Sequence, residues 1–190
     1  MHSPRFIGLS TGRSGSRYLA ELLNRAGVET VHEQSRSAAD WERCGAMGEV
    51  TAWLVAYMDA FPEVLVWHFS RHPQPFVSSL IGFGFWNMCH PAIHPHLRRT
   101  GDVVADSFLY WVDWNQRIID GAPHPRRTTF RIEDVNADLI SWLANAVDID
   151  ADVSGLEPAW NEKQEFASIP DEVAPEVDRM MEVLGYAPCS

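Results

Sequence analysis

The sequence predicts an α/β fold, a three-layer sandwich in which helices cover both faces of a central, mainly parallel sheet. Short apolar runs, of a length suited to buried strands, alternate along the chain with stretches whose apolar residues recur at helical spacing. The length of 190 residues is enough for one domain with a substantial core and too short for two comfortable ones. We therefore expect a single domain over residues 1–190.

The first strand and the loop after it are the clearest elements. The apolar run over residues 6–9 predicts a buried strand, and residues 11–16 form a loop of glycines and hydroxyl residues. Four apolar residues then fall at helical spacing before a helix-ending Gly27: Leu19, Leu22, Leu23 and Ala26.

The later elements continue the alternation. Further strands are predicted over 29–31, 64–69 and 128–132. Helices are predicted over 74–80, 105–119, 139–147 and 173–184. Another amphipathic helix, ended by Pro62, is predicted from Val50, Leu54, Tyr57, Met58 and Phe61.

Three stretches lack these patterns. Residues 34–40 are polar and turn-like, and residues 148–170 look irregular. Residues 87–104 are rich in proline and histidine and predict a surface lid or acceptor loop. Tryptophans 111, 114 and 142 lie on predicted helices and are expected in the core.

Composition limits the class of protein. A formal net charge of −11 argues against a nucleic-acid-binding surface, so we expect no nucleic-acid partner. The three cysteines are odd in number and far apart, which favours a reducing compartment over a disulfide framework. Neither a signal-peptide core nor an apolar run that could span a bilayer is present, so we expect a cytoplasmic protein.

The loop over 11–16 predicts an anion site. A strand, a glycine-containing loop and a helix in that order direct backbone N–H groups and the positive end of the helix at one point. In a parallel sheet, ligands bind beyond the carboxyl ends of the strands. We therefore expect the segments 11–16, 32–33, 70–73 and 133–134 to meet at one rim.

A kinase is the first alternative for this site. Its loop would read GxxxxGK[ST], whereas the stretch from Gly8 to Ser14 is one residue short and carries Arg13 in place of lysine. The strand over 64–69 is followed by Ser70 and Arg71, where a magnesium site would need an acid. This pattern favours two anionic groups held by basic and hydroxyl residues without a metal.

These segments resemble the sulfotransferases that use 3′-phosphoadenosine 5′-phosphosulfate (PAPS). The stretch TGRSGSRY, residues 11–18, is similar to their 5′-phosphosulfate loop, and Arg71 with Ser79 eight residues later is similar to their 3′-phosphate motif. The stretch RIED at 131–134 and the ending Leu-Gly-Tyr186 also resemble the family. The resemblance covers roughly residues 5–33, 66–80 and 128–135.

The resemblance implies a P-loop-like α/β fold and transfer of a sulfuryl group from PAPS, without a metal, to a hydroxyl or amine. The acceptor would be a small molecule or a carbohydrate. A P-loop-type kinase and a non-catalytic nucleotide-binding protein remain the alternatives, and the oligomeric state stays open. The donor-binding residues implied are Thr11, Gly12, Arg13, Ser14, Gly15, Ser16, Arg17, Tyr18, Arg71 and Ser79.

Arg17 departs from the family pattern, whereas Arg13 is one of the two basic residues that the pattern allows. Many relatives carry lysine at the position of Arg13; because arginine keeps its proton near neutral pH, we expect electrostatic stabilisation there and not acid catalysis. Relatives usually carry serine or threonine at the position of Arg17, which either contacts phosphate or is solvated.

The acceptor must lose a proton, and two adjacent residues are candidates for the base. Several branches of the family carry glutamate just after the second strand, which favours Glu33. His32 is the alternative, since histidine titrates near neutral pH. On an extended segment we expect only one of the two to face the donor.

For the remaining candidate residues we expect structural roles. The cluster Cys89, His90, His94 and His96 has no usual zinc spacing and lies in the predicted lid, with Phe83, Phe85 and Trp86 as its apolar wall. His68 lies inside a core strand and is expected to be a buried, hydrogen-bonded histidine. For Glu133 and Asp134 we expect helix capping.

Overall fold

A computed structural model of the protein describes residues 5–60, 62–84, 98–121, 127–156 and 166–188. The five strands are β1 (Phe6–Leu9), β2 (Thr30–His32), β3 (Gly48–Thr51), β4 (Leu65–Ser70) and β5 (Arg127–Arg131). The α-helices are α1 (Ser16–Arg25), α2 (Ala38–Glu42), α3 (Pro73–Phe83), α4 (Val103–Gly121), α5 (Ala137–Asn145) and α6 (Ala174–Val183). Short 3₁₀ helices cover Trp53–Ala60 and Ile132–Asp134.

The strands form one sheet in the order β2-β3-β1-β4-β5, and every neighbouring pair is parallel. β1 therefore lies at the centre, between β3 and β4. All carboxyl ends lie at the same edge of the sheet, so the loops that follow the strands share one rim.

The core has the three layers that the sequence predicts. One face of the sheet packs Phe6, Trp67 and Phe69 against apolar residues of α1 and α5. The opposite face packs Ile7, Leu9 and Val66 against α2, the first 3₁₀ helix and Trp114 and Ile118 of α4. A further cluster joins α3, α4 and α6. The α/β prediction is confirmed.

The spacing of apolar residues does not predict one of the five strands, β3. Val50 lies in β3, beside β1, and not in an amphipathic helix; the following helical segment, Trp53–Ala60, is a 3₁₀ helix. Gly48 allows β3 to pair closely with β1. A Cβ at this position would lie 2.2 Å from the Phe6 ring, so only glycine fits.

Smaller differences concern helix ends and exposure. The polar stretch over 34–40 contains the start of α2, capped by Ser37, whose hydroxyl accepts from the Asp40 N–H. α4 begins at Val103, so the last two residues of the predicted lid over 87–104 are helical. Trp142 is 49% exposed, unlike Trp111 and Trp114, which are buried as expected.

Some expectations lie outside the described residues, among them residues 87–97 of the predicted lid, Phe85, Trp86 and the cluster Cys89, His90, His94 and His96. Across the described part of the chain, no helix combines the length and the apolar character needed to cross a membrane.

Candidate functional site

The four predicted segments meet at the carboxyl edge of the sheet. After β1, the Arg13 carbonyl accepts from Arg71 Nη1, which follows β4, at 3.3 Å. Ser16 Oγ and His32 Nε2, at the end of β2, lie 2.8 Å apart. The His72 N–H donates to Glu133 Oε1, just after β5, at 2.7 Å. The four segments therefore meet at one rim of the sheet, as the sequence predicts.

Residues of the first three segments, together with residues of α1 and α3, line a cavity of about 590 Å³. This volume lies within the range of about 300–1,000 Å³ that is typical of small-molecule sites. Basic, acidic and hydroxyl side chains line it together with two glycines and one phenylalanine: Gly12, Arg13, Gly15, Ser16, Arg17, Tyr18, Glu21, His32, Glu33, Arg71, Ser79 and Phe83.

Eight of the ten predicted donor-binding residues therefore line the cavity, and Thr11 and Ser14 do not. Both are fully buried, their hydroxyl groups are hydrogen-bonded to each other, and the Ser14 N–H donates to the Thr11 carbonyl at 3.2 Å. The two side chains thus close the turn from inside, and in this arrangement neither hydroxyl points to a ligand in the cavity.

The amino end of α1 opens onto the cavity. Gly15 is the N-cap residue with φ 88°, a left-handed conformation that favours glycine, and no side chain caps the helix. The N–H groups in the first turn of a helix have no acceptor within the helix. At α1 they belong to cavity-lining residues, including Ser16 and Arg17, so they suit an anion there.

Arg13 is held beside the second predicted anion-binding segment. Its Nε and Nη2 donate to Ser79 Oγ at 3.4 and 3.3 Å, and its guanidinium lies over the Phe83 ring, 4.4 Å from the centroid. Because Ser79 Oγ accepts from Arg13, its own O–H can donate elsewhere. Arg13 and Ser79 therefore form one cationic and hydroxyl unit.

Arg71 lies on the same side of the cavity. Burial lowers the pKa of its guanidinium from the ordinary value, and the charge of Glu133 opposes that shift. Besides the Arg13 carbonyl bound by Nη1, the Arg71 main chain is fixed, since its carbonyl accepts from Trp111 Nε1 at 2.9 Å. An anion in the cavity would offset the desolvation of this charge.

His32 and Glu33 both line the cavity, contrary to the expectation that only one would. The reason is the backbone of Glu33, whose φ of 50° breaks the alternation of an extended strand. The turn is anchored on either side: the Glu33 N–H donates to the Val50 carbonyl at 3.2 Å, and Ser35 bonds to the buried carboxylate of Glu49.

Arg17 and Tyr18 complete the wall formed by α1. The Arg17 side chain is 82% exposed and pairs with Glu21 at 2.9 Å, one turn along the helix. Arg17 also lines the cavity, so a phosphate contact and a solvated side chain both stay predictions for it. Burial raises the pKa of the Tyr18 hydroxyl.

The sequence reading missed the residues that hold these segments from behind. Trp111 and Trp114, one turn apart on α4, donate from Nε1 to the carbonyls of Arg71 and Ser10 at 2.9 and 3.0 Å. Their buried helix positions indicated packing, but no local pattern shows which carbonyl a tryptophan will reach.

Two further expectations were tested here. His68 is buried and bonded to Asn115, as expected. The capping role of Glu133 and Asp134 is wrong: Asn136 caps α5, Glu133 binds the His72 N–H, and Asp134 pairs with Arg131 at 2.5 and 2.8 Å. Among the described residues, no group of three or more histidine, cysteine, aspartate or glutamate side chains could hold a metal ion.

Two solved structures have the same architecture over nearly their whole length. The crystal structure of a sulfotransferase from Alicyclobacillus acidocaldarius matches with a TM-score of 0.53 and 11% identity, covering 98% of this chain and 97% of that one. The sulfotransferase domain from the curacin biosynthetic pathway matches with a TM-score of 0.56 and 14% identity, covering 98% and 99%. This chain has the sulfotransferase fold.

The sequence itself matches no family model and no curated protein. At 11–14% identity, the structural likeness establishes the fold and leaves the chemistry to the residues of the cavity. In this chain those residues include three arginines, three hydroxyl side chains, one histidine and two glutamates, beside an uncapped helix end.

Proposed function

We propose that this protein is a PAPS-dependent sulfotransferase that transfers a sulfuryl group to a hydroxyl or amine of a small-molecule or carbohydrate acceptor. One observation carries the proposal: Arg13, Ser79 and Arg71 converge beside the uncapped amino end of α1, on a fold shared with two sulfotransferase structures. Both segments that resemble PAPS-binding motifs contribute to this one cavity.

The cavity residues fit a nucleotide with two anionic ends. The amino end of α1 and the Ser16 hydroxyl suit the 5′ end, and Arg71 with the Ser79 O–H suits a 3′-phosphate. The partial burial of Arg71 supports this assignment, because a desolvated guanidinium gains most from a charged acceptor. When bound, the donor supplies a sulfuryl group activated by its link to phosphate.

Arg13 is proposed to stabilise the charge that develops during transfer. Its guanidinium donates to Ser79 and lies over the Phe83 ring, and these contacts favour one orientation of the charge beside the reacting group. The contact with Ser79 also brings this charge beside the proposed 3′-phosphate site. Arg13 would thus act on both ends of the donor.

Glu33 is the proposed base. Within the described part of the chain, its carboxylate makes no hydrogen bond or ion pair, whereas His32 Nε2 is engaged with Ser16 Oγ at 2.8 Å. A carboxylate that lines the cavity and is not committed to a neighbour can accept the acceptor's proton. His32 then orients the Ser16 hydroxyl.

The first prediction tests this division of roles. Glu33→Gln should lower kcat by at least about 100-fold, because proton transfer by a positioned base contributes about 10²–10⁴. Binding of adenosine 3′,5′-bisphosphate, measured by isothermal titration, should be nearly unchanged. Turnover would be measured with labelled PAPS and a panel of alcohols, sugars and amines.

His32→Ala is the matched comparison. If Glu33→Gln keeps activity while His32→Ala abolishes it, the two assignments exchange. A wild-type protein that binds ATP with magnesium in preference to the bisphosphate would instead indicate a kinase. Tight bisphosphate binding without turnover on any acceptor would favour a non-catalytic nucleotide-binding protein.

A further inference from the structure

The peptide group between Arg71 and His72 is bound by side chains at both of its polar atoms. Its carbonyl, which belongs to Arg71, accepts from Trp111 Nε1 at 2.9 Å. Its N–H, which belongs to His72, donates to Glu133 Oε1 at 2.7 Å. Neither bond is part of the hydrogen-bonding pattern of a helix or a sheet. The two partners come from α4 and from the 3₁₀ helix after β5.

Glu133 is in turn held by Tyr186, in the segment that follows α6. Tyr186 Oη donates to Glu133 Oε2 at 3.0 Å and lies 3.1 Å from Ser70 Oγ, the last residue of β4. Tyr186 is only 8% exposed, and its ring meets the His72 ring edge-on at 5.4 Å between centroids. The carboxylate therefore has both oxygens bound and little freedom to move.

The Tyr186 ring is itself fixed to β5. The guanidinium of Arg131 lies 5.5 Å from the ring centroid, and its Nη1 donates to the Gly185 carbonyl at 3.0 Å. These contacts join the segment after α6, β5 and the end of β4 beside Arg71, which lines the cavity.

We propose that Glu133 and Tyr186 are positioning residues that orient Arg71 toward the 3′-phosphate of the bound nucleotide. The inference rests on the proposed function. Neither side chain lines the cavity, so both act through the Arg71–His72 peptide group. The negative charge of Glu133 by itself would weaken anion binding, so its contribution must come from the hydrogen bond and not from electrostatic attraction.

The variants Glu133→Gln and Glu133→Ala separate the effect of the Glu133 hydrogen bonds from the effect of its charge. In Glu133→Gln the amide oxygen can still accept from the His72 N–H and the NH₂ group can donate to Tyr186 Oη, so affinity for adenosine 3′,5′-bisphosphate should be kept or increased. Glu133→Ala removes the anchor, and affinity should fall about tenfold, equivalent to the loss of one charge-assisted hydrogen bond.

The decisive measurement is a ratio of affinities. Isothermal titration with adenosine 3′,5′-bisphosphate and with adenosine 5′-monophosphate, which lacks the 3′-phosphate, should show that Glu133→Ala loses affinity only for the bisphosphate. Tyr186→Phe keeps the ring and should show a smaller loss of the same kind. Glu182→Gln, an exposed charge change on α6, is the control and should match the wild type.

Hydrogen exchange at the His72 amide tests the hydrogen bond to Glu133 without any nucleotide. The exchange rate should increase in Glu133→Ala but not in Glu182→Gln. If wild-type protein binds the bisphosphate and Glu133→Ala keeps the wild-type ratio, the positioning role is overturned and the proposed function stands. If wild-type protein binds neither nucleotide, the proposed function is overturned and the inference with it. An equal loss for both nucleotides would show a merely structural role and overturn the inference.

Discussion

Arg13 and Glu33, two side chains that line the cavity, have backbone conformations that residues other than glycine rarely adopt. Their φ angles are 73° and 50°. Such conformations cost of order 1–3 kcal/mol and persist where the surrounding structure imposes them. Because both residues follow the carboxyl end of a strand and face one cavity, the strain supports a functional use of their side chains.

The second prediction uses this strain at Arg13. Arg13→Gly relieves the left-handed backbone but adds chain entropy to the unfolded state, so stability in urea should stay within about 1 kcal/mol of the wild type. Turnover should fall by about 100-fold or more, since a fixed cation beside the reacting group is lost. Asp148→Gly is the control, because Asp148 has φ 61° and does not line the cavity; it should keep activity.

At this scale the sequence identified residue types better than side-chain directions. The motif over 11–18 indicates an anion loop, but nothing in it shows that the hydroxyls of Thr11 and Ser14 bond to each other inside the turn. Likewise, the sequence predicts an extended backbone for the pair His32-Glu33, since no local signal reveals a left-handed glutamate. Both features depend on contacts that residues distant in sequence impose.

Among the elements, β3 is the strand that the helical spacing of apolar residues wrongly predicts as a helix. Its four residues include Gly48 and the buried Glu49, neither typical of a central strand, and Val50 also fits the helical spacing of Leu54 and Met58. β3 is a strand because it pairs on both sides, with β1 and with β2. The other strands were predictable from local pattern: β1 and β4 are apolar runs, and β2 and β5 follow predicted helices.

The third prediction concerns the packing of β3 on β1. Gly48→Ala should destabilise the protein by about 1–3 kcal/mol, since the new Cβ would overlap the Phe6 ring, which itself stacks on Trp67 at 3.9 Å. Urea unfolding would measure the loss. Gly45→Ala is the matched control, because no atom lies within 4 Å of its added Cβ; it should change stability by less than about 0.5 kcal/mol. Equal effects of the two substitutions would contradict the overlap.

For the molecule as a whole, His68 connects stability to pH. Its Nε2–H donates to Asn115 Oδ1 at 3.0 Å, because Asn115 Nδ2 is already donating to the Trp111 carbonyl. Protonation would place a second N–H on Nδ1, a buried atom with no hydrogen-bond partner among the described residues. Burial accordingly lowers the pKa of His68 from 6.5 to about 4.

The fourth prediction follows from that shift. Between pH 6.5 and about 4, the unfolded chain binds a proton at His68 that the folded protein does not, so the free energy of unfolding should decrease as pH falls through this window. The full loss from His68 is about 3 kcal/mol, with none added below pH 4. Urea unfolding at pH 7, 6 and 5 would measure the slope.

His68→Gln should flatten this dependence, since glutamine does not titrate and its amide can donate to Asn115. Part of the slope should remain, because burial also lowers the pKa of His72. An identical slope in wild type and His68→Gln would exclude His68 as its source.

The two edge strands of the sheet also affect the tendency of the protein to aggregate. β2 has three residues, and β5 has an arginine at each end, Arg127 and Arg131. A short edge strand such as β2 exposes few backbone groups with which a strand of another molecule could pair. The arginines at the ends of β5 disfavour pairing of another strand along that edge. The same sheet that gathers the cavity loops at one rim is therefore a poor template for cross-β aggregation along its sides.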